Sequence, residues 1–316
     1  MLLLAQQSYA SRDGKALIAI GGELERREVY DPAWSLLADA PIITQLPETR
    51  EWDGRVIPEG TLLVRRRIRH LGAELRMARF VVPASLRALK VVVATEGRLV
   101  SLLARSFPEV QIIDREAPFV PLEPVWHASY ERLAEFFGRD ENAIRQSWRP
   151  LAAMSASQSS HCGPPKIGIA WHSVNVRKAL PEIADWRDLL RGKNVQFVSL
   201  QYNEEDAGFQ QLAEASRYPM MSSSPIDQLK DLDGFATQVA AMQGVLTISN
   251  TTAHMAGALG IPCVVVLDDI QHLTWPIGTN ETPFYPNLRV VRQRGEGWSS
   301  VLEIAFQQLL QMIGQK

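Results

Sequence analysis

The apolar residues of this chain fall into short continuous runs that alternate with amphipathic stretches. Runs that are apolar throughout are typical of parallel strands covered on both faces, and the amphipathic stretches between them have helical spacing. The pattern therefore predicts an α/β protein with two successive parallel sheets. The predicted strands are 61–64, 88–94, 110–113, 166–171, 195–200, 245–248, 263–267 and 288–292. The predicted helices are 71–82, 97–107, 129–137, 184–190, 206–216, 233–242, 253–259 and 298–313.

The clearest strand–helix–strand pattern lies at 246–267, LTISNTTAHMAGALGIPCVVVL. Good turn and N-cap residues fill 249–252, and a small, helix-permissive run follows. Gly260 lies where a left-handed C-cap belongs, and Pro262 prevents any continuation of the helix. A helix N-terminus rich in hydroxyl groups at the carboxyl edge of a parallel sheet is a ready anion site. We therefore expect a phosphorylated ligand there.

Composition and punctuation divide the chain into three predicted parts. Residues 1–50 form a helical extension, 51–155 a first Rossmann-like domain, and 156–316 a second one, with the boundary inside the small, polar linker 151–165. Helix, turn, helix and Asp31-Pro32 at this spacing resemble a degenerate tetratricopeptide unit. A plain helical extension fits the same residues equally well.

The overall composition excludes several classes of protein. Hydrophobic residues make up 46% and charged residues 22%, and the net charge of −2 gives no drive toward nucleic acid or an anionic membrane. Cys162 and Cys263 do not make a disulfide framework, and Cys263 is expected to be a core residue. The Leu2–Leu4 run is too short for a signal peptide, and no apolar stretch approaches the ~20 residues that span a bilayer. The expected location is the cytoplasm, with no membrane insertion.

Polar residues recur just after the strands of the second predicted domain. Because the carboxyl ends of parallel strands meet at one edge, these residues are expected to surround one ligand. Each also has an ordinary structural explanation, such as an N-cap, a satisfied histidine or a solvated surface charge. The histidines are never spaced as a metal-ligand pair, so no metal is expected. The candidates are Trp171, His172, Ser173, Lys178, Gln201, Asp233, Asn250, Thr251, Thr252 and His254.

A run of arginines, Arg65 to Arg69 with Ile68 inside it, directly follows the first strand of the first predicted domain. Such a run is usually a solvated surface. Its place after a parallel strand also allows contact with an anion.

Five pieces of the second half resemble a known family. The order and spacing of these pieces are similar to those of bacterial tetratricopeptide-linked glycosyltransferases related to O-GlcNAc transferases and, more distantly, to heptosyltransferases. The first half matches more weakly, through LGAELRMARF and RLVSLLARSFPEV. The matching pieces are IGIAWHS, FVSLQY, DLDGFATQVAAM, LTISNTTAHMAGALGIPCVVVL and FYPNLRVVRQ.

The resemblance implies a GT-B architecture, in which two Rossmann-like domains face a cleft and the second holds a nucleotide-diphospho-sugar. Residues 171–173, 250–252 and His254 would lie at the diphosphate, and Gln201 and Asp233 at the nucleoside. The implied reaction is a metal-independent, inverting sugar transfer, and a protein is one candidate acceptor. It implies no cofactor other than the donor substrate.

The catalytic half departs from the family pattern. Members of the family usually carry a glycine-rich acidic loop where this chain reads RIRHLGA at 67–73, and only Gly72 of that loop is retained. The remaining candidates for the acceptor base are His70 and Glu74. An alternative function is therefore a catalytically impaired relative that binds a nucleotide-sugar or assembles with an active transferase.

Overall fold

A computed structural model describes residues 14–39, 50–66, 71–154, 163–173, 179–203, 208–222, 226–268 and 275–314. The chain divides into two compact units. The first unit comprises Met1–Arg149 and His272–Gly278, and the second comprises Pro150–Gln271 and Thr279–Lys316. The division falls a few residues before the expected boundary at 155, and the helices of the N-terminal extension belong to the first unit.

The first unit is built on a five-stranded sheet in the order β1-β5-β2-β3-β4, and every neighbouring pair is parallel. Its strands are β1 Arg50–Glu51, β2 Ile57–Arg65, β3 Ala88–Thr95, β4 Gln111–Asp114 and β5 Val125–Ser129. Its helices are α1 Gly14–Arg26, α2 Tyr30–Asp39, α3 Leu71–Met77, a 3-10 turn Ala78–Phe80, α4 Val81–Ser85, α5 Gly97–Ser106, α6 Tyr130–Phe137 and α7 Glu141–Gln146.

The second unit repeats the plan with a parallel sheet in the order β10-β9-β8-β6-β7. The strands are β6 Lys166–Ala170, β7 Gln196–Ser199, β8 Gly244–Ile248, β9 Cys263–Leu267 and β10 Leu288–Arg292. The helices are α8 Ile183–Leu190, α9 Phe209–Ala215, α10 Leu232–Ala240, α11 Thr251–Leu259 and α12 Trp298–Met312.

The continuous apolar runs are buried as their pattern predicts. Every residue of β8 and β9 is buried, and α12 packs Phe306 and Leu309 into the same core as Phe197 of β7. Cys263 is a core residue, and burial raises the pKa of its thiol well above the usual range. The sheet is therefore covered on its faces and presents polar groups at its edges.

The N-terminal helices are part of the first unit. Helices α1 and α2 share a small core that includes Leu17, Leu24 and Leu36. The fully buried Trp34 of α2 donates from Nε1 to the carbonyl of Gly138, 2.7 Å away, just after α6. This hydrogen bond and the buried indole fix the helix pair to the sheet domain.

Three local features differ from the sequence prediction. No strand was predicted between 110–113 and the helix 129–137, but β5 lies at Val125–Ser129 and pairs with both β1 and β2. The predicted helix 71–82 is divided at a 3-10 turn. Asp231, not Asp233, caps α10, because its Oδ1 accepts from the N–H of Gly234 at 2.8 Å.

Candidate functional site

The candidate site lies where the path of the second sheet reverses. Strand β6 is flanked by β7 on one side and by β8 on the other, and Ala170 at the end of β6 pairs with Thr247 of β8. Parallel α/β sheets bind ligands outside the carboxyl ends of strands at such a reversal. The expected residues 171–173 and 250–252 follow these two strand ends directly.

Asn250 connects the two strand ends to helix α11. Its Oδ1 accepts from the N–H of Ala253 at 3.1 Å, which makes it the N-cap of the helix. The hydroxyl of Thr247 lies 3.2 Å from the same Oδ1 and 2.9 Å from the carbonyl oxygen of Ala170 on β6. Within the described part of the chain, no acceptor bonds the Nδ2 of Asn250, so the amide keeps a donor for a ligand.

The other expected residues of α11 differ in their accessibility. Thr251 is half-buried in the first turn. Thr252 is 5% exposed, and its hydroxyl lies 3.5 Å from the carbonyl of Leu200, a long contact. His254 is 8% exposed and its Nδ1 lies 3.1 Å from the hydroxyl of the fully buried Tyr285. Thr251 is therefore the more accessible hydroxyl, and His254 is held by a tyrosine that the sequence did not single out.

Gln201 shapes the turn that follows β6. It is fully buried, and its Oε1 accepts from the backbone N–H groups of Trp171 at 3.0 Å and His172 at 2.8 Å. Its Nε2 donates to the carbonyl of Tyr202 at 2.9 Å. The structure therefore gives Gln201 a positioning role, and its expected contact with a nucleoside stays a prediction.

The turn itself presents residues of different exposure. Trp171 is buried in the core, His172 is exposed and Ser173 is half-buried. Lys178 lies outside the described residues. The backbone N–H of Ala179 donates to Oδ2 of Asp268, 2.7 Å away, and Asp268 is 3% exposed directly after β9. Asp268 was missed, although an acid that follows a buried strand was a usable signal.

Asp233 lies half-buried in the first turn of α10, and its carbonyl accepts from the hydroxyl of Thr237 at 2.9 Å. Because Asp231 supplies the cap, the carboxylate of Asp233 is not needed for that purpose. Helix α10 packs against α11, which carries the other candidates. A role at the nucleoside stays a prediction.

The expected catalytic candidates, His70 and Glu74, belong to the first unit. His70 lies outside the described residues. Glu74 is 1% exposed, accepts from the hydroxyls of Thr95 and Tyr130, and lies 3.1 Å from the guanidinium of Arg66. Burial raises the pKa of Glu74, against the lowering effect of Thr95 and Arg66. The carboxyl of Glu74 is thus enclosed by Thr95, Tyr130 and Arg66, and its expected role as a base stays a prediction.

The described ranges lack two features, a group of metal-binding side chains and a membrane-spanning helix. No three His, Cys, Asp or Glu residues among them come together as a group that could hold a metal ion. None of their helices is both long enough and apolar enough to cross a bilayer.

Comparison with known proteins identifies one sequence relative. The chain is 30% identical over 305 residues to Protein FlbA of Caulobacter vibrioides, a match that covers 86% of this chain and 50% of that protein. The chain thus spans half the length of the relative it matches. No protein-family profile matches the sequence.

Solved structures share the fold of this chain. The E. coli ADP-heptose lps heptosyltransferase II superposes with a TM-score of 0.53 at 15% identity, over 79% of this chain and 99% of that one. A glycosyl transferase family 9 protein of Veillonella parvula gives 0.55 at 11% identity, over 80% and 98%. The E. coli heptosyltransferase WaaC with ADP gives 0.52 at 14% identity, over 80% and 99%. The chain therefore has the GT-B fold of these glycosyltransferases.

Proposed function

We propose that the protein is a glycosyltransferase whose second unit binds a nucleotide-diphospho-sugar. The supporting observation is the capped start of α11 beside the end of β6, where Asn250 is fixed by Ala253 and Thr247. Structures with the same fold include WaaC bound to ADP and to ADP-2-deoxy-2-fluoro heptose. A nucleoside diphosphate is therefore the ligand class we assign to this edge of the second sheet.

The chemistry of the helix start suits a departing diphosphate. The first N–H groups of a helix have no partner within the helix, and its dipole favours negative charge there. When the bond from the sugar's anomeric carbon to the diphosphate oxygen breaks, the electron pair stays on the diphosphate. The N–H groups of Thr251 and Thr252, the amide of Asn250 and the exposed His172 would stabilise that charge.

We extend this proposal to the course of the reaction. The helix start and the cation of Lys178 would neutralise the leaving group, so transfer would not require a metal ion. Attack from the opposite side of the sugar would invert its anomeric centre, with loss of the acceptor's proton to a base. The acceptor, which could be a protein, would bind the first unit.

A second candidate is a nucleotide-sugar-binding relative without transfer activity. The observation that favours it is the enclosure of Glu74, whose carboxyl is engaged by Thr95, Tyr130 and Arg66. Of the two expected bases, this leaves His70 alone. Donor binding and sugar transfer therefore require separate experiments.

Donor binding is tested by calorimetry with UDP, GDP, ADP and CMP on the intact protein and on one variant each of Asn250 and Thr251. Asn250→Asp keeps the cap oxygen but adds a negative charge beside the diphosphate, so it should fold as stably as the parent and bind at least about tenfold more weakly. Thr251→Ala should weaken binding without loss of the cap. If none of the four nucleotides binds the parent protein, the proposed function is wrong.

Transfer is tested by donor hydrolysis once a nucleotide is identified. Turnover that is lost in His70→Ala but kept in Glu74→Gln would support the transferase. Binding without turnover, unaffected by either change, would instead support the non-catalytic relative. The tetratricopeptide origin of the N-terminal helices stays a prediction under both candidates.

A further inference from the structure

Arg65 occupies the point of reversal of the first sheet. It is the last residue of β2, and it pairs with Ala94 of β3 on one side and Ser129 of β5 on the other. Strand β2 therefore has the same position in the first sheet as β6 has in the second, at the point where the strand order reverses. The carboxyl end of such a strand is where ligands bind in parallel sheets.

The acidic groups close to this edge are already engaged by other arginines. Arg66 forms ion pairs with Glu74 at 3.1 Å and with Glu96. Glu96 is also bonded to Arg98 at 2.7 Å. Glu74 and Glu96 are therefore already paired with cations other than Arg65.

Arg65 itself is half-buried. Within the described ranges its guanidinium makes no hydrogen bond and no ion pair, and its Nε is a buried donor that no acceptor satisfies. Burial lowers the pKa of this guanidinium. Buried donors and charges are normally paired because an unsatisfied one is costly, so an arginine in this state fits a ligand-binding residue better than a structural one.

We infer that Arg65 binds an oxyanion, a carboxylate or a phosphate, of a ligand held at the carboxyl edge of the first sheet. The planar guanidinium presents several N–H donors in a fork that matches either group. A bound oxyanion would satisfy the buried Nε and neutralise the charge. This site belongs to the first unit and does not depend on the nucleotide site proposed for the second.

The direct test is the side-chain Nε–H signal of Arg65 in the nuclear magnetic resonance spectrum of the intact protein. The signal is assigned by its absence in Arg65→Gln, and sodium acetate or sodium phosphate is then titrated at fixed pH and ionic strength against sodium chloride. We expect a saturable shift with acetate, phosphate or both, and the two arms distinguish a carboxylate site from a phosphate site. A shift that is the same in chloride, or that never saturates, would overturn the inference.

Thermal unfolding gives a second, independent readout. Without added anion, Arg65→Gln should unfold at the same temperature as the parent or higher, because it removes an unsatisfied buried donor. Arg66→Gln should unfold at a lower temperature, since it leaves Glu74 without its cation. The exposed Arg50, changed to Gln, controls for the general loss of one positive charge. A clear fall in the unfolding temperature of Arg65→Gln would make Arg65 a structural residue and contradict the inference.

Discussion

At the scale of single residues, Arg66 of the first unit bridges two carboxylates whose pKa values move in opposite directions. Burial raises the pKa of Glu74 above its ordinary value of 4.5. Burial also acts to raise the pKa of Glu96, but hydrogen bonds from Arg98 and Arg66 outweigh it and lower the pKa. Arg66 therefore contacts Glu74, whose raised pKa favours the protonated form, and Glu96, whose lowered pKa favours the carboxylate.

This contrast predicts opposite pH dependences for two Gln variants. A raised pKa in the folded state contributes stability that is present below pH 4.5 and lost as pH rises. Glu74→Gln should therefore gain stability relative to the parent as pH rises above 4.5. Glu96→Gln should instead lose stability relative to the parent as pH rises toward 4.5 from below, with no further change above it, because a lowered pKa contributes stability that is complete above 4.5 and lost as pH falls. Urea unfolding between acid and neutral pH measures both, and parallel curves would contradict the assignment.

Tyr285 provides a second prediction at this scale. Its hydroxyl lies 3.1 Å from Nδ1 of His254, and the two rings meet edge to face at 5.9 Å. Tyr285→Phe keeps the ring in place but removes the hydroxyl that contacts Nδ1, so the imidazole should be held less firmly. We expect nucleoside diphosphate affinity to fall about three- to tenfold, the effect of one neutral hydrogen bond. Calorimetry measures it.

Tyr218→Phe is the matched control for that experiment. Its hydroxyl bonds the side-chain oxygen of Asn194 at 2.8 Å on an exposed surface of the same unit. It should leave nucleotide affinity unchanged. Equal losses in the two variants would show that the effect is not specific to His254.

At the scale of elements, the sequence predicted the features that depend on residues close together in the chain. Helix α11 ends at Gly260 with φ of 80°, as expected, because a glycine takes the left-handed conformation without strain. Strand β5 was missed because its residues, VWHAS, follow a proline-rich loop and carry no long apolar run. Strand β1 has two residues and exists only through pairing with β5. Strands of this kind are determined by their partners, which a single sequence does not display.

The candidate site was likewise predicted only where it depends on topology. Residues at the ends of β6 and β8 were expected together because parallel topology brings strand ends to one edge. The hydrogen bonds of Gln201 to Trp171 and His172, and of Asp268 to Ala179, depend on side-chain geometry between distant segments. The sequence therefore predicted where the site is, but not which residues support it and which remain free for a ligand.

Helix α2 supports a prediction about the N-terminal elements. Trp34 is fully buried and bonds the carbonyl of Gly138. Trp34→Ala should destabilise the first unit by about 3–5 kcal/mol, the usual cost of a buried indole. Trp34→Phe keeps most of the packing and loses the hydrogen bond, so its cost should be clearly smaller. Denaturant unfolding measures both, and a neutral Trp34→Ala would mean that the extension is dispensable.

At the scale of the whole molecule, the boundaries of the units do not follow the order of the chain. His272–Gly278 belong to the first unit although they interrupt the sequence of the second. Trp275 is fully buried there, and the N–H of Ile277 donates to the carbonyl of Arg26 on α1 at 3.2 Å. The segment therefore completes the first unit.

This arrangement predicts the behaviour of a fragment. Residues 150–316 expressed alone would expose Trp275 and the buried Pro276 to water, which favours association through apolar surface. We expect red-shifted tryptophan emission and a tendency to aggregate, measured by light scattering. Replacement of 272–278 by glycine and serine should restore a monomer. A fragment that is monomeric without that replacement would contradict the prediction.

The same segment has a consequence for how the protein is made. Domains usually fold in order as they emerge from the ribosome, the N-terminal one first. Here the first unit cannot acquire Trp275 or the bond from Ile277 to Arg26 until all of 150–271 has been translated. The first unit therefore remains incomplete while the second is synthesised. Chaperones have a longer time in which to bind it than they would if the whole first unit preceded the second in the chain.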